Sequence, residues 1–235
     1  PPPGMTHRPS LQTRPSPRSW QSALVSHSYC SLECLIEQLP AALALNLAVA
    51  WAGYRARTVN ISGAVTGAIR IALWSGPRNI STAMMRSFGA RSDTHVVDEP
   101  FYAAYLAKAD LDHPMREEVL ASQPVDWREV VQSLLADPPC DRSIFYQKHM
   151  THHMLPDFGL DWMTQCRSAF LIRDPELVLA SHFVKRVQVE LADIGFVRQG
   201  EIFAREADRL GQAPPVVEGI DVLRDPAGLL SKLCV

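Results

Sequence analysis

Two short apolar runs constrain the fold of this chain more than any other feature, because each ends in a proline-containing polar turn that leads into a helical pattern. Ile69 to Trp74 is interrupted only by Arg70, as befits a strand buried on both faces of a parallel sheet. Ser75-Gly-Pro-Arg-Asn then breaks the run, and Ser81 to Phe88 carries apolar residues at helical spacing. Ser168 to Ile172 repeats the arrangement: Arg173-Asp-Pro ends the strand, and Pro175 suits the first helical position. The expected fold is therefore a single α/β domain with a mainly parallel sheet of about five strands.

A strand, a tight loop and a helix N-terminus bring free backbone N–H groups and the positive end of a helix dipole onto one point, which favours an anion. Arg78, Ser81 and Thr82 would add a cation and two hydroxyls there. The same residue types serve an ordinary capped turn, and the Walker pattern Gly-x-x-x-x-Gly-Lys-Ser/Thr is absent. In the second unit Arg173 falls at the strand's carboxyl edge, and Ser181 lies eight residues later on the helix. Open α/β sheets bind ligands beyond those carboxyl ends. A purely structural role would pair Arg173 with Asp174.

Two further segments offer a proton acceptor. His95-Val-Val-Asp-Glu-Pro-Phe101 reads as a short strand ending at Asp98-Glu99-Pro100, and a partly buried carboxylate at the sheet edge can accept a hydroxyl proton. Alternatively, Glu99 pairs with Arg86 or caps the helix from Phe101. Ser143 to Gln147 reads as another strand, followed by Lys148, His149 and His152. In extended chain Lys148 and His149 point to opposite faces, so both serve one site only if the strand has already ended. His-x-x-His-His lacks the Glu of the zinc-protease pattern and no cysteine pair supports it, so no metal is expected.

The rest of the chain frames these units. With 235 residues, 47% hydrophobic content and a net charge of -2, it can bury one sizeable core and carries no charge excess pointing to nucleic acid. Five scattered cysteines suggest no disulfide framework and a reducing, cytoplasmic setting. Residues 1–68 differ in kind: Pro1 to Arg18 is rich in Pro, Arg and Ser without acidic residues, an extended composition. Leu39 to Ala52 then reads as an Ala/Leu helix, shorter than the ~20 apolar residues of a membrane span. A membrane anchor there, with Asn60-Ile-Ser as a glycosylation site, is the alternative. Met115 to Ser122 and Trp127 to Ala136, the latter capped by Asp126, read as helices flanking an acceptor region. Helix is also expected from Pro175 to about Glu190 and from Gly200 to Leu210.

Pro77-Arg-Asn-Ile-Ser-Thr resembles the 5′-phosphosulfate loop of sulfotransferases, and Arg173 with Ser181 is similar, at identical spacing, to the Arg and Ser that hold the donor's 3′-phosphate in that family. Pro215 to Cys234 resembles the family's late strand, Asp-Pro turn and following helix. The resemblance covers residues 69–235 and implies a P-loop-like three-layer domain of the bacterial type. It implies 3′-phosphoadenosine 5′-phosphosulfate as co-substrate, a small hydroxyl or amine acceptor, and no metal. On this basis Pro77, Arg78, Asn79, Ile80, Ser81 and Thr82 would bind the 5′ end and Arg173 and Ser181 the 3′-phosphate. Lys148 would act on the leaving group, with Glu99, His149 or His152 as base. Ile80 departs from the family's common Gly, and a β-branched residue is strained at positive φ. The family's further C-terminal segment is also missing after Val235, which suggests a truncated domain. A non-catalytic module and a kinase-like P-loop enzyme are the alternatives, and no signature fixes the acceptor or the oligomeric state.

Overall fold

The computed structural model describes residues 67–111, 113–183 and 191–233. The extension expected at residues 1–68, apart from its last two residues, lies outside this set with its Leu39 to Ala52 helix, as does the helical stretch expected at 184–190.

Five strands form one sheet: β1 (Ile69–Ser75), β2 (Thr94–Asp98), β3 (Ile144–Met150), β4 (Arg167–Ile172) and β5 (Val216–Glu218). Their order is β2-β3-β1-β4-β5 and every pairing is parallel. The most apolar run takes the central place, and Ala72, Leu73 and Trp74 of β1 have no exposed surface. Strand alternation then divides the core into two layers. Leu73, Tyr146, Ala169 and Leu171 pack against Met84 and Phe88 of α1 (Ser81–Gly89) and Val222 of α8 (Gly219–Arg224). Ala72, Trp74, Phe145 and Phe170 face the opposite layer, with Phe101, Leu134, Trp162 and Ile202. Each Leu, Ile, Val, Met or Phe among them contributes roughly 1.5–3 kcal/mol by leaving water, so the sheet is clamped from both sides in three layers.

The second layer is built from α2 (Tyr102–Ala109), α4 (Trp127–Leu135) and α7 (Phe196–Leu210), with α3 (Arg116–Ser122) beside α2. α5 (Pro175–Phe183) follows β4, α6 (Leu191–Ile194) precedes α7, and α9 (Pro226–Leu233) closes the described chain. Asp126 caps α4 as expected, accepting from the Arg128 amide at 2.9 Å. Two elements differ from the sequence reading. β3 runs to Met150, three residues beyond Gln147, because its polar residues are paired or packed and its backbone stays in register with Leu73 to Ser75. The late segment contains an additional helix, α8, before Asp225 starts α9 by accepting from the Gly228 amide at 2.9 Å.

Buried side chains tie together the carboxyl ends of the strands. Gln199 of α7 donates through Nε2 to the Leu171 carbonyl at 3.0 Å and the Trp74 carbonyl at 3.4 Å, bridging β4 and β1. Thr151 donates to the carbonyl of Gly195 at 3.0 Å. Gly195 has φ 67°, and a Cβ on it would lie 2.5 Å from Thr151 Oγ1. Gly211 has nearly the same φ, 66°, but open space around it. Gly211→Ala should therefore cost only the left-handed penalty, about 1–2 kcal/mol, whereas Gly195→Ala should cost about 2–4 kcal/mol in urea denaturation because the clash adds to it. Equal losses would mean that the Thr151 contact yields.

Candidate functional site at the carboxyl edge of the sheet

The loop from Gly76 to Ile80 joins β1 to α1 at the sheet's carboxyl edge. Arg78 and Ile80 both have left-handed backbones, at φ 62° and 56°. Each costs of order 1–2 kcal/mol for an L-residue, so the surroundings must impose the shape. Asn79 turns inward, 1% exposed, and donates to the Leu171 carbonyl at 3.3 Å. Gly76 abuts α6 so closely that a Cβ would lie 2.7 Å from the Ile194 carbonyl oxygen. Ile80 packs its side chain into the α1 layer and against Gly219. Ile80 thus adopts the positive φ that the resemblance associates with glycine, and the partial burial of its side chain offsets part of the cost.

α1 starts from Ile80 without a side-chain cap, with Ser81 buried and Thr82 exposed, leaving its N-terminus electropositive. Arg78 Nε donates to Ser181 Oγ at 2.8 Å, and Arg173 Nη1 donates to the Arg78 carbonyl at 2.7 Å. Residues about a hundred positions apart therefore meet where the two βα units adjoin. Among the described residues neither guanidinium has a carboxylate partner. Asp174 instead accepts from the Glu176 amide at 2.8 Å, at the start of α5. Pro77, half-exposed, stands in the same loop.

A second cluster lies at the ends of β2 and β3. In register Asp98 stands opposite Lys148, and Lys148 Nζ donates to Asp98 Oδ1 and Glu99 Oε1, both at 2.6 Å. The lysine side chain is only 3% exposed, against 48% for Asp98 and 29% for Glu99. Glu99 sits at φ 47°, its amide donating to the Lys148 carbonyl at 3.0 Å while its own carbonyl accepts from the Tyr102 amide. The trio carries one net negative charge, and Glu99 pairs with Lys148, not with Arg86. The pairing of Asp98 was not read from the sequence, although its place beside Glu99 was the available signal.

The histidines separate. His149 points to the opposite face from Lys148 because β3 continues through it, and its ring stacks on Trp74 at 4.5 Å and lies 5.3 Å from Trp162. It is no part of the edge cluster. His152 lies half-buried on the 3₁₀ turn Thr151–His153, edge-on to Tyr105 at 5.7 Å. His153, weighed in the sequence only as the last histidine of His-x-x-His-His, is stacked on Tyr102 at 4.8 Å and Tyr105 at 4.9 Å, and burial holds its imidazole well below the usual value.

Burial also pushes the His149 imidazole down to about 3. Above its ordinary value of about 6.5 the ring is neutral whether the chain is folded or not. As the pH falls from about 6.5 to about 3, only the unfolded chain binds the proton, so stability falls with decreasing pH, by up to about 1.4 kcal/mol per unit. His149→Phe should make stability less dependent on pH between about 6 and 4, measured by urea midpoints. An unchanged slope would mean that the ring gains water before the chain unfolds.

Among the described residues no group of three or more His, Cys, Asp or Glu could hold a metal ion, and no helix is long and apolar enough to cross a membrane. Fold and edge together define an α/β domain with an uncapped helix N-terminus and, on two adjoining βα turns, two arginines that have no carboxylate partner among the described residues. The chain belongs to the sulfotransferase domain family, whose pattern it matches over residues 69–235. Branched-chain-amino-acid aminotransferase-like proteins 2 and 1 of Arabidopsis thaliana are 32% and 33% identical to it over 163 residues. That stretch is 68% of this chain, and the chain spans 28% of the length of either relative. Shikimate kinase from Bacteroides thetaiotaomicron aligns with 64% of this chain and 86% of its own, at 14% identity and a TM-score of 0.34.

Proposed function

We propose that this chain transfers a sulfuryl group from 3′-phosphoadenosine 5′-phosphosulfate to a hydroxyl or amine of a small acceptor. The observation that carries this reading is the joining of the two βα turns through Arg78, Arg173 and Ser181. A donor with anionic groups at both its 3′ and 5′ positions needs cations on two adjoining turns, and these residues fit that need. The donor supplies an activated sulfur bonded to a good leaving group.

Arg78 and the first amides of α1 stabilise negative charge on the departing bridging oxygen, while Ser81 and Thr82 hold the other 5′ oxygens. Arg173 and Ser181 hold the 3′-phosphate. Pro77, Asn79 and Ile80 keep the loop in shape. Glu99 accepts the proton of the attacking hydroxyl or amine as the new bond to sulfur forms and the bridging bond breaks, its electron pair staying on the leaving 5′-phosphate. Lys148, which the sequence reading set against the leaving group, has its ammonium taken up by Asp98 and Glu99 and orients Glu99 instead, and His152 lines the acceptor side. His149, enclosed by Trp74 and Trp162, takes no part.

Calorimetric titration with adenosine 3′,5′-bisphosphate, 5′-AMP and ATP tests the donor assignment. A clear preference for the bisphosphate is expected. Preference for ATP would replace this reading with a kinase-like one, and absence of binding by all three would favour a non-catalytic module.

A further inference from the structure

A buried polar side chain persists where its hydrogen bonds offset the water it has lost, and α7 carries one on the face it turns to the sheet. Gln199 is only 5% exposed, and Ile202, on the same face one turn on, has no exposed surface. Leucine would fill a similar volume there without burying an amide, so the reason for glutamine lies in its donors. Its Nε2 donates to the Leu171 carbonyl of β4 at 3.0 Å and to the Trp74 carbonyl of β1 at 3.4 Å. Both bonds leave one planar amide, whose two N–H bonds diverge at a fixed angle. The side chain therefore sets the separation of the two carbonyl oxygens.

Those carbonyls stand just upstream of the two turns that carry the arginines. The β1–β4 ladder ends at Ser75 and Leu171, and Arg78 and Arg173 follow within a few residues. From inside the loop Asn79 Nδ2 donates to the same Leu171 carbonyl at 3.3 Å. Beyond it Arg78 reaches Ser181 at 2.8 Å and Arg173 reaches the Arg78 carbonyl at 2.7 Å. Contacts this short depend on how far apart the strand ends are held. Arg198, the preceding residue of α7, reaches elsewhere: it donates to the Met154 carbonyl at 2.8 Å and the Leu155 carbonyl at 3.4 Å, just past the turn that carries His152.

We infer that Gln199 is a positioning residue: by fixing the spacing of the β1 and β4 ends it sets the distance between Arg78 and Arg173, and so governs whether one ligand can engage both turns. It acts through the two arginines, and its consequence for binding rests on the two-ended donor proposed above.

Calorimetry on the full chain with adenosine 3′,5′-bisphosphate, 5′-AMP and 3′-AMP tests it in Gln199→Leu and Gln199→Met, which remove the donors and keep most of the side-chain volume. The bisphosphate should bind about tenfold or more weakly than to the wild type, whereas each monophosphate, which needs one turn, should change by no more than about threefold. Arg198→Met is the matched control: it removes a brace from the same helix and should leave all three nucleotides within about threefold. A second readout needs no nucleotide. The Arg78 Nε–H signal in proton–nitrogen correlation NMR, assigned by its absence in Arg78→Lys, should shift in the Gln199 variants and stay in place in Arg198→Met. If Gln199→Leu fails to fold by circular dichroism, Gln199→Met decides. Where the wild type prefers the bisphosphate, a preference that survives in a folded Gln199 variant, or one lost equally in Arg198→Met, would overturn the inference. If the wild type binds the bisphosphate no better than 5′-AMP, the donor reading fails and the NMR signal decides alone: a shift upholds the spacing role of Gln199, and an unmoved signal overturns it.

Discussion

Arg173→Ala should weaken adenosine 3′,5′-bisphosphate binding by roughly 30- to 1,000-fold, the equivalent of about 2–4 kcal/mol for a charged contact of this kind. The loss for 5′-AMP should be tenfold or less. The difference is expected because, in the proposed function, Arg173 serves two ends. Its Nη1 braces the Arg78 carbonyl at 2.7 Å, so any nucleotide that uses the loop loses a little when the brace is removed. Only a 3′-phosphorylated nucleotide also loses a direct ionic partner. Calorimetry on both ligands separates the two contributions, and equal losses would confine Arg173 to bracing. Arg173→Lys should keep charge but lose the planar fork, and should fall between the wild type and the alanine variant.

Glu99→Gln should lower turnover by about 10²- to 10⁴-fold, the usual scale for removing a general base, with bisphosphate affinity unchanged. The substitution is expected to fold, because Asp98 remains as a carboxylate partner for the buried Lys148 ammonium and glutamine keeps the shape. Asp98→Asn is the matched control: it leaves Glu99 ionic and should retain turnover within about tenfold. If Glu99→Gln turned over normally, the proton acceptor would lie elsewhere on the edge, and His152 would be the next residue to replace. If Asp98→Asn lost as much as Glu99→Gln, the trio would act as one charged unit.

What could be read in the sequence was local. Apolar runs broken by Gly, Pro and Arg marked β1 and β4, and the same punctuation marked the loop that holds Arg78. Asp126 as a cap and Pro175 as a helix start rest on neighbours within one turn, so they too were legible. Contacts that depend on register were not. Lys148 meets Asp98 because β2 and β3 align those residues, and nothing in either segment alone encodes that alignment. The length of β3 was underread because Lys148 and His149 look like strand breakers until their separate partners on the two faces of the sheet are known. Gln199 is a polar residue with no motif and Asn79 was read as a ligand contact of the loop, yet both are buried, donating to carbonyls at the strand ends. Ile80 shows the limit from the other side: the sequence gives reason to expect a reshaped loop, and long-range packing holds the loop in a positive-φ conformation.

The central position of β1 also affects how the chain folds. Its partners in β3 and β4 are encoded about 75 and 95 residues later, so at ~5–20 residues per second a ribosome delivers the first roughly 4–15 s and the second roughly 5–19 s after β1 itself. During that wait an apolar strand flanked by unpaired amides has no native neighbour, and long-range pairing of this kind slows folding relative to local helix formation. A cell making this protein would have to shelter Ile69–Ser75 until β4 emerges. Slower synthesis between β1 and β4 would lengthen that exposure and favour aggregation, whereas chaperone supply during expression would raise the yield of folded protein.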